Sequence, residues 1–195
     1  GMSAEQNIKA KALKCIDEVY PSADTLNDTY FPVDAFLDEA VRWVIDVVPA
    51  RILTEREQLT IDDTDVINGA YTAYFTSPIG RVVSVSNTGW RRDAEIIKED
   101  SLLYRQQKNR VLQGNRSKPV AAVRWNESIE IYPTPIDDTT TKVYHVPYSA
   151  SSIPDRAIGL GAWKLAEVVL LSMSDMQNAS ACTVRVTELL QQLSL

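Results

Sequence analysis

The sequence predicts an α+β fold: mainly a helical bundle, with a β-rich insertion between its N-terminal and C-terminal helices. Three observations carry this expectation. Both ends of the chain repeat apolar residues at helical spacing. The middle alternates apolar and polar residues, as a half-buried strand does. Proline and glycine punctuate that middle, at Ser77-Pro78-Ile79-Gly80 and Pro133-Thr134-Pro135 among other places. A length of 195 residues suits one domain, taken as 2–195. Its helical parts are expected at about 4–68 and 154–194, and its β-rich part at about 70–150.

In order along the chain, Ser3-Ala4-Glu5-Gln6 reads as a capping box that opens a helix over 4–20. Its apolar stripe is Ile8, Ala12, Cys15, Ile16 and Val19, and it ends ahead of Pro21. Pro21–Phe31 reads as a polar loop, and Pro32 suits a helix's first turn. A second helix is expected from Val33 to about Leu53, broken or kinked at Pro49 because proline lacks an N–H and clashes with the preceding turn. Phe36, Leu37, Ala40, Val41, Val44, Val47 and Val48 would form its buried side. Thr54–Asp65 is acidic, and its carboxylates suit a helix N-terminus, where they meet the positive end of the dipole.

Strands are expected at Ala70–Thr76 and Arg81–Asn87, the second with Val83 and Val85 facing in. Ile96 to about Gln113 reads as helical, with Ser101 as an alternative starting cap and Gly114 as the C-cap. Val120–Trp125 and Ser128–Tyr132 form a candidate hairpin across Asn126-Glu127. Lys142–Tyr148 is a last strand. Two helices follow, about Asp155–Met173 and Ala179–Leu193, the latter with Val184, Leu189, Leu190 and Leu193 on its apolar side. Trp90, Trp125, Tyr132, Tyr144 and Tyr148 would supply the core of the β-rich part.

Chemistry is sparsely signalled. The sole histidine, His145, is expected at a surface or interface and argues against histidine-based zinc sites and histidine-dependent nucleophiles. Cys15 and Cys182 have no CxxC spacing and read as buried free thiols. Asp62, Asp63 and Asp65 lack the glycine turn and distal glutamate of an EF-hand loop. Gly159-Leu160-Gly161 lacks the rest of a dinucleotide fingerprint. Neither a metal nor a cofactor is expected, and the reading is non-enzymatic. No membrane partner is expected, because the apolar run Ala162–Met173 is short and holds Lys164 and Glu167. The N-terminus has no apolar run of a signal peptide, and Gly1 ahead of Met2 reads as a remnant of tag cleavage.

One charge feature stands out. Arg105, Lys108, Arg110, Arg116, Lys118 and Arg124 fall within 101–126, where there is no acid. The chain nets −6, so without those six cations it stands at −12. The segment suits an acidic protein partner or a nucleic-acid backbone, with protein contact preferred in the absence of an RNA-binding or helix-turn-helix signature. With Trp90 and Trp125 these cations form the candidate interface.

The order of segments resembles a known family. Arg81–Val85 precedes Trp90-Arg91-Arg92-Asp93; then come Ile129-Glu130-Ile131-Tyr132-Pro133-Thr134-Pro135, a strand ending Val146-Pro147-Tyr148, and two terminal helices. Over about residues 30–195 this resembles the head-to-tail adaptor (connector) proteins of tailed bacteriophages. These include the tail accessory factor of P22-like phages, tail tubular protein A of T7-like phages and the ring proteins of crAss-like gut phages. The Pro-x-Asp-Phe element of T7-like members is only loosely echoed by Ser77-Pro78-Ile79-Gly80. The resemblance implies a structural virion protein, found in the host cytoplasm during assembly. It would form a ring, commonly dodecameric, beneath the portal and offer a docking platform to the tail. Its implied partners are the portal, neighbouring copies, tail proteins and, in passing, DNA in the channel. Two alternatives stand beside it: a small nucleic-acid-associated protein using 105–124, and a hydrolase with a carboxylate-bound metal.

Overall fold

The fold is α+β. The computed structural model describes residues 2–20, 30–125 and 127–195. Among these it holds five α-helices and eight strands in two sheets. The chain divides into two compact units. One comprises residues 1–55 and 148–195, and the other is the continuous stretch 56–147.

The first unit is helical. Helix α1 spans Ala4–Val19, and its capping box forms as the sequence requires. The Gln6 N–H donates to Ser3 Oγ, and the Ser3 N–H donates to Gln6 Oε1, each at 3.2 Å. Helix α2 spans Val33–Val47 and stops short of the expected Leu53. Pro49 ends it, and a single 3-10 turn at Ala50–Ile52 follows. Pro32 caps the helix rather than entering its first turn. Val47 is exposed, and Ile45 takes the inward place expected of it. The sequence-predicted loop Pro21–Phe31 lies mostly outside the described residues; its last member, Phe31, is fully buried.

Helix α4 (Ile158–Ser172) is buried almost all round and packs against α1, α2 and α5 (Met176–Leu193). Helix α5 begins three residues before the expected Ala179, where Asp175 caps the Asn178 N–H at 3.2 Å. Its inward face is Ala179, Cys182 and Val186; Val184 is exposed, one step round the helix from the expected side. Glu167 is buried in α4 and held by Lys164 Nζ at 2.7 Å and the Thr183 hydroxyl at 2.8 Å. Both cysteines are buried and unpaired, as expected. Burial, helped by Glu18, pushes the Cys15 thiol up to about 12; burial and the neighbouring Cys15 do the same to Cys182.

The second unit is built of strands. Strands β1 (Glu57–Leu59), β8 (Thr141–Val146) and β4 (Arg81–Asn87) make an antiparallel three-stranded sheet in the order β1-β8-β4. The other sheet is five-stranded, in the order β2-β3-β7-β6-β5, with β2 Ile61–Ile67, β3 Ala70–Phe75, β7 Ile129–Tyr132, β6 Val120–Val123 and β5 Glu95–Lys98. Every neighbouring pair is antiparallel except β5 and β6, which run parallel. One core joins the two sheets, with Leu59, Val85 and Val143 from the first facing Ala121, Ile129 and Ile131 from the second.

Four sequence expectations fail here for definable reasons. Residues 57–67, expected to be helical, are strands. Asn68-Gly69 turns back with φ of 52° and 81°, the left-handed pair of a tight hairpin, and that pairs Val66 with Tyr71. Glu95–Lys98 is strand rather than helix, because its β-branched Ile96 and Ile97 alternate between the two faces of the sheet. The alternative cap at Ser101 is the one used: its Oγ accepts from the Tyr104 N–H at 3.2 Å, and α3 is the short helix Leu102–Gln106. In β4 a bulge between Val82 and Ser84 shifts the pleat, so Val82 and Val85 face in and Val83 does not.

Gly114 is no C-cap. A Cβ there would meet Tyr132 O at 2.7 Å, so the glycine permits a close backbone approach. The core of this unit is aliphatic, and the aromatic residues divide. Tyr132 is buried, Trp90 packs half-buried against the core, and Trp125 is 84% exposed at the hairpin tip. Tyr148 belongs to the helical unit, where its hydroxyl donates to Asp46 at 2.6 Å.

Candidate functional site

The site grows from one carboxylate. In β7 the alternation Ile129-Glu130-Ile131-Tyr132 sends both isoleucines into the core between the sheets. Glu130 and Tyr132 therefore share the outer face of the five-stranded sheet, on its central strand. Glu130 is only 2% exposed. A buried carboxylate is costly unless its oxygens are paired, and here both are. Oε1 accepts from the Tyr104 hydroxyl at 3.0 Å and lies 3.0 Å from Arg124 Nη1. Oε2 accepts from the Tyr132 hydroxyl at 2.8 Å and lies 3.5 Å from Lys108 Nζ.

Residues outside the basic segment complete the network. Glu99, just after β5, accepts from Arg124 Nη2 at 3.3 Å and from the Trp125 N–H at 3.0 Å. Tyr104 also packs on Ala70, Ile97, Val120, Ala122 and Tyr132, and Lys108 Nζ lies 4.7 Å from the Tyr104 ring centroid. Gln107 is buried; its Nε2 donates to Leu103 O at 3.0 Å, and its Oε1 accepts from the Gly114 N–H at 2.8 Å. Together these contacts clasp 101–114 onto the outer face of the sheet.

The electrostatics fit a clasp. Burial and the hydrogen bond to Glu130 push the hydroxyls of Tyr104 and Tyr132 above the ordinary tyrosine range, so both remain neutral donors. Burial works against the Arg124 charge, but Glu130 and Glu99 outweigh it and hold the guanidinium more firmly charged.

The sequence-predicted interface residues fall into three groups. Arg124 and Lys108 turn toward Glu130. Arg116 is exposed, with its Nε donating to Gly89 O at 3.1 Å. Arg105, Arg110 and Lys118 are exposed and form no ion pair among the described residues. Apolar side chains lie in the open in the same segment: Leu102 is 68% exposed, Val111 89% and Leu112 54%. The loop's inner side therefore closes on the sheet, and its outer side presents cations and apolar groups together. Trp125 is held beside this segment through Glu99, and Trp90 is set apart in the core.

His145 contradicts the surface expectation. It lies in β8, 4% exposed, with Nδ1 accepting from the Gly80 N–H at 2.8 Å and Nε2 3.8 Å from Glu57 Oε2. Burial lowers its pKa, with Glu57 opposing. The residue pins the turn before β4. Gly80 itself comes so close to β8 that an added Cβ would fall on the Val146 carbonyl. Asp62, Asp63 and Asp65 lie along β2, exposed, with Asp63 and Asp65 each accepting from the following residue's N–H at 2.8 Å. Among the described residues no three His, Cys, Asp or Glu side chains are grouped to hold a metal ion, and no helix is long and apolar enough to cross a membrane.

The sequence signals for the missed residues were present. An acid inside an apolar strand, as at Glu130, calls for a buried partner. Asn68-Gly69 is a strong hairpin signal. No protein-family model matches the chain, and no curated protein matches it.

Proposed function

We infer that this chain is a structural adaptor of the head-to-tail kind, a virion assembly protein that works by binding neighbours. In this reading the first unit is the helical bundle and residues 56–147 are a β-rich insertion carrying the contact surface. The observation behind it is the outer side of 101–118, where Arg105, Arg110 and Lys118 stand beside the exposed Leu102, Val111 and Leu112. Unpaired cations beside apolar groups suit a protein partner with an acidic, partly apolar face. A phosphate backbone would recruit the cations alone. The segment order that resembles phage adaptors supports the same reading: Arg81–Val85 lies in β4, Ile129–Tyr132 forms β7, and Val146 ends β8.

The portal protein encoded nearest this chain's gene tests it. Mixed at micromolar concentrations, the two are expected to co-elute as a large complex on size exclusion, with rings in negative-stain images. Separate elution at every ratio tried counts against the adaptor reading. Filter binding to DNA at low and high salt addresses the nucleic-acid alternative, which requires tight, steeply salt-dependent retention.

A further inference from the structure

The two edges of the five-stranded sheet carry opposite chemistry. At one edge β2 pairs with β3 alone, which leaves the far side of its backbone open along Ile61–Ile67. An open edge is a template for another chain unless something blocks it. Here Asp62, Asp63 and Asp65 line the edge, and Val66 (61% exposed) and Ile67 (37%) lie bare beside them. Two β2 edges brought together would set aspartates against aspartates, so symmetric edge-to-edge pairing is disfavoured.

At the opposite edge β5 is flanked by α3 and the loop after it, with Arg105, Arg110 and Lys118 unpaired among the described residues and Leu102 and Val111 bare. Three anions with two apolar side chains at one edge thus match three cations with two apolar side chains at the other. The sheet order keeps these surfaces apart within one chain. We propose that they meet between chains: the β2 edge of one copy docks against the outer side of 102–118 of the next. Such a contact is heterologous, since two different surfaces meet. Repeated, it closes into a ring or runs on as a filament, as the rotation per copy dictates. This deepens the adaptor reading by naming the neighbour as a second copy. It rests on that reading only for closure into a ring, so the test is done without portal.

Two pools of full-length protein are made, one Asp65→Cys and one Arg110→Cys. Both positions are exposed, and the native thiols are buried. The pools are oxidised separately and mixed, in low salt and in high salt. Head-to-tail docking is expected to give a disulfide heterodimer in the mixture several-fold in excess of either homodimer, and to lose that excess in high salt. A second set carries reversed charge: Asp62→Lys with Asp65→Lys in one pool, and Arg105→Glu with Arg110→Glu in the other. Sedimentation of each pool alone is expected to show weaker self-association than wild type, and mixing is expected to restore it. Circular dichroism confirms folding of each pool. Dominant Asp65→Cys homodimers, or no heterodimer excess, overturn the proposal. So does a mixture of reversed pools that fails to recover association. Failure to bind portal, with these results positive, overturns the adaptor reading alone.

Discussion

Replacing Glu130 with alanine removes the acceptor at the centre of the clasp. Breaking one side of a buried charge pair costs about 3–5 kcal/mol, chiefly by leaving the other charge without its partner. Arg124 keeps Glu99 and has a side chain 27% exposed to water, so the low end applies, about 3 kcal/mol. For a chain of this size each kcal/mol moves the melting temperature by about 2–4 °C, which gives a fall of about 6–12 °C. The loss is also local. Tyr104 and Lys108 lose their contact with the sheet, so 101–113 is expected to exchange amide hydrogens faster, and trypsin to cut sooner at Arg105, Lys108 and Arg110. Hydrogen exchange with mass-spectrometric readout resolves that stretch from the helical unit. Tyr104→Phe is the milder companion, deleting one donor to a charged acceptor at about 1.5 kcal/mol. A Glu130→Ala protein with an unchanged melting temperature and unchanged exchange across 101–113 would refute the clasp.

Trp125→Ala is expected to leave stability within about 0.5 kcal/mol of wild type, because the side chain is already in water, and a thermal melt checks it. The His145 pKa lies below its ordinary value of 6.5, so below that pH the unfolded chain takes up a proton that the folded one refuses. Stability is therefore full above about pH 6.5 and declines as pH falls toward the folded value. His145→Gln is expected to flatten that part of a melting-temperature profile taken from neutral to mildly acid pH. Gly80→Ala forces a methyl onto the Val146 carbonyl, where backbone rather than a flexible side chain must move, and is expected to cost about 3 kcal/mol in denaturant unfolding. Cys15 and Cys182, raised to about 12, are expected to resist a thiol reagent at mildly alkaline pH until the protein is unfolded.

The helical unit was legible because its signals are local. The Ser3–Gln6 capping box, the Pro49 break and the spacing of Ile8, Ala12 and Ile16 each act within a few residues. The strand unit was legible wherever alternation was clean, as in Ala70–Phe75 and Ile129–Tyr132. It failed where a non-local partner decided the outcome. Ile96 and Ile97 fit a helix by spacing, and pairing with Ala121 and Ala122 makes them strand. Val83 was placed inward by counting in twos, and one bulge moved the count. The basic segment was visible as charge, but the split between an inner side that meets Glu130 and an outer side that meets water depends on a strand more than twenty residues away. His145 shows the same limit, since its place is set by Gly80 and Glu57 on other strands.

The parallel pairing of β5 with β6 has an evolutionary consequence. Two neighbouring parallel strands cannot be joined by a tight turn, so the stretch from Glu99 to Pro119 must travel back across the sheet. Topology demands that this crossover exist, and a few anchors, Tyr104, Gln107 and Lys108, are enough to seat it. Its solvent side carries no strand pairing. Substitutions or insertions around Arg110 and Val111 can therefore retune specificity while strand order and register are inherited unchanged, which makes the crossover the natural graft site for a new partner.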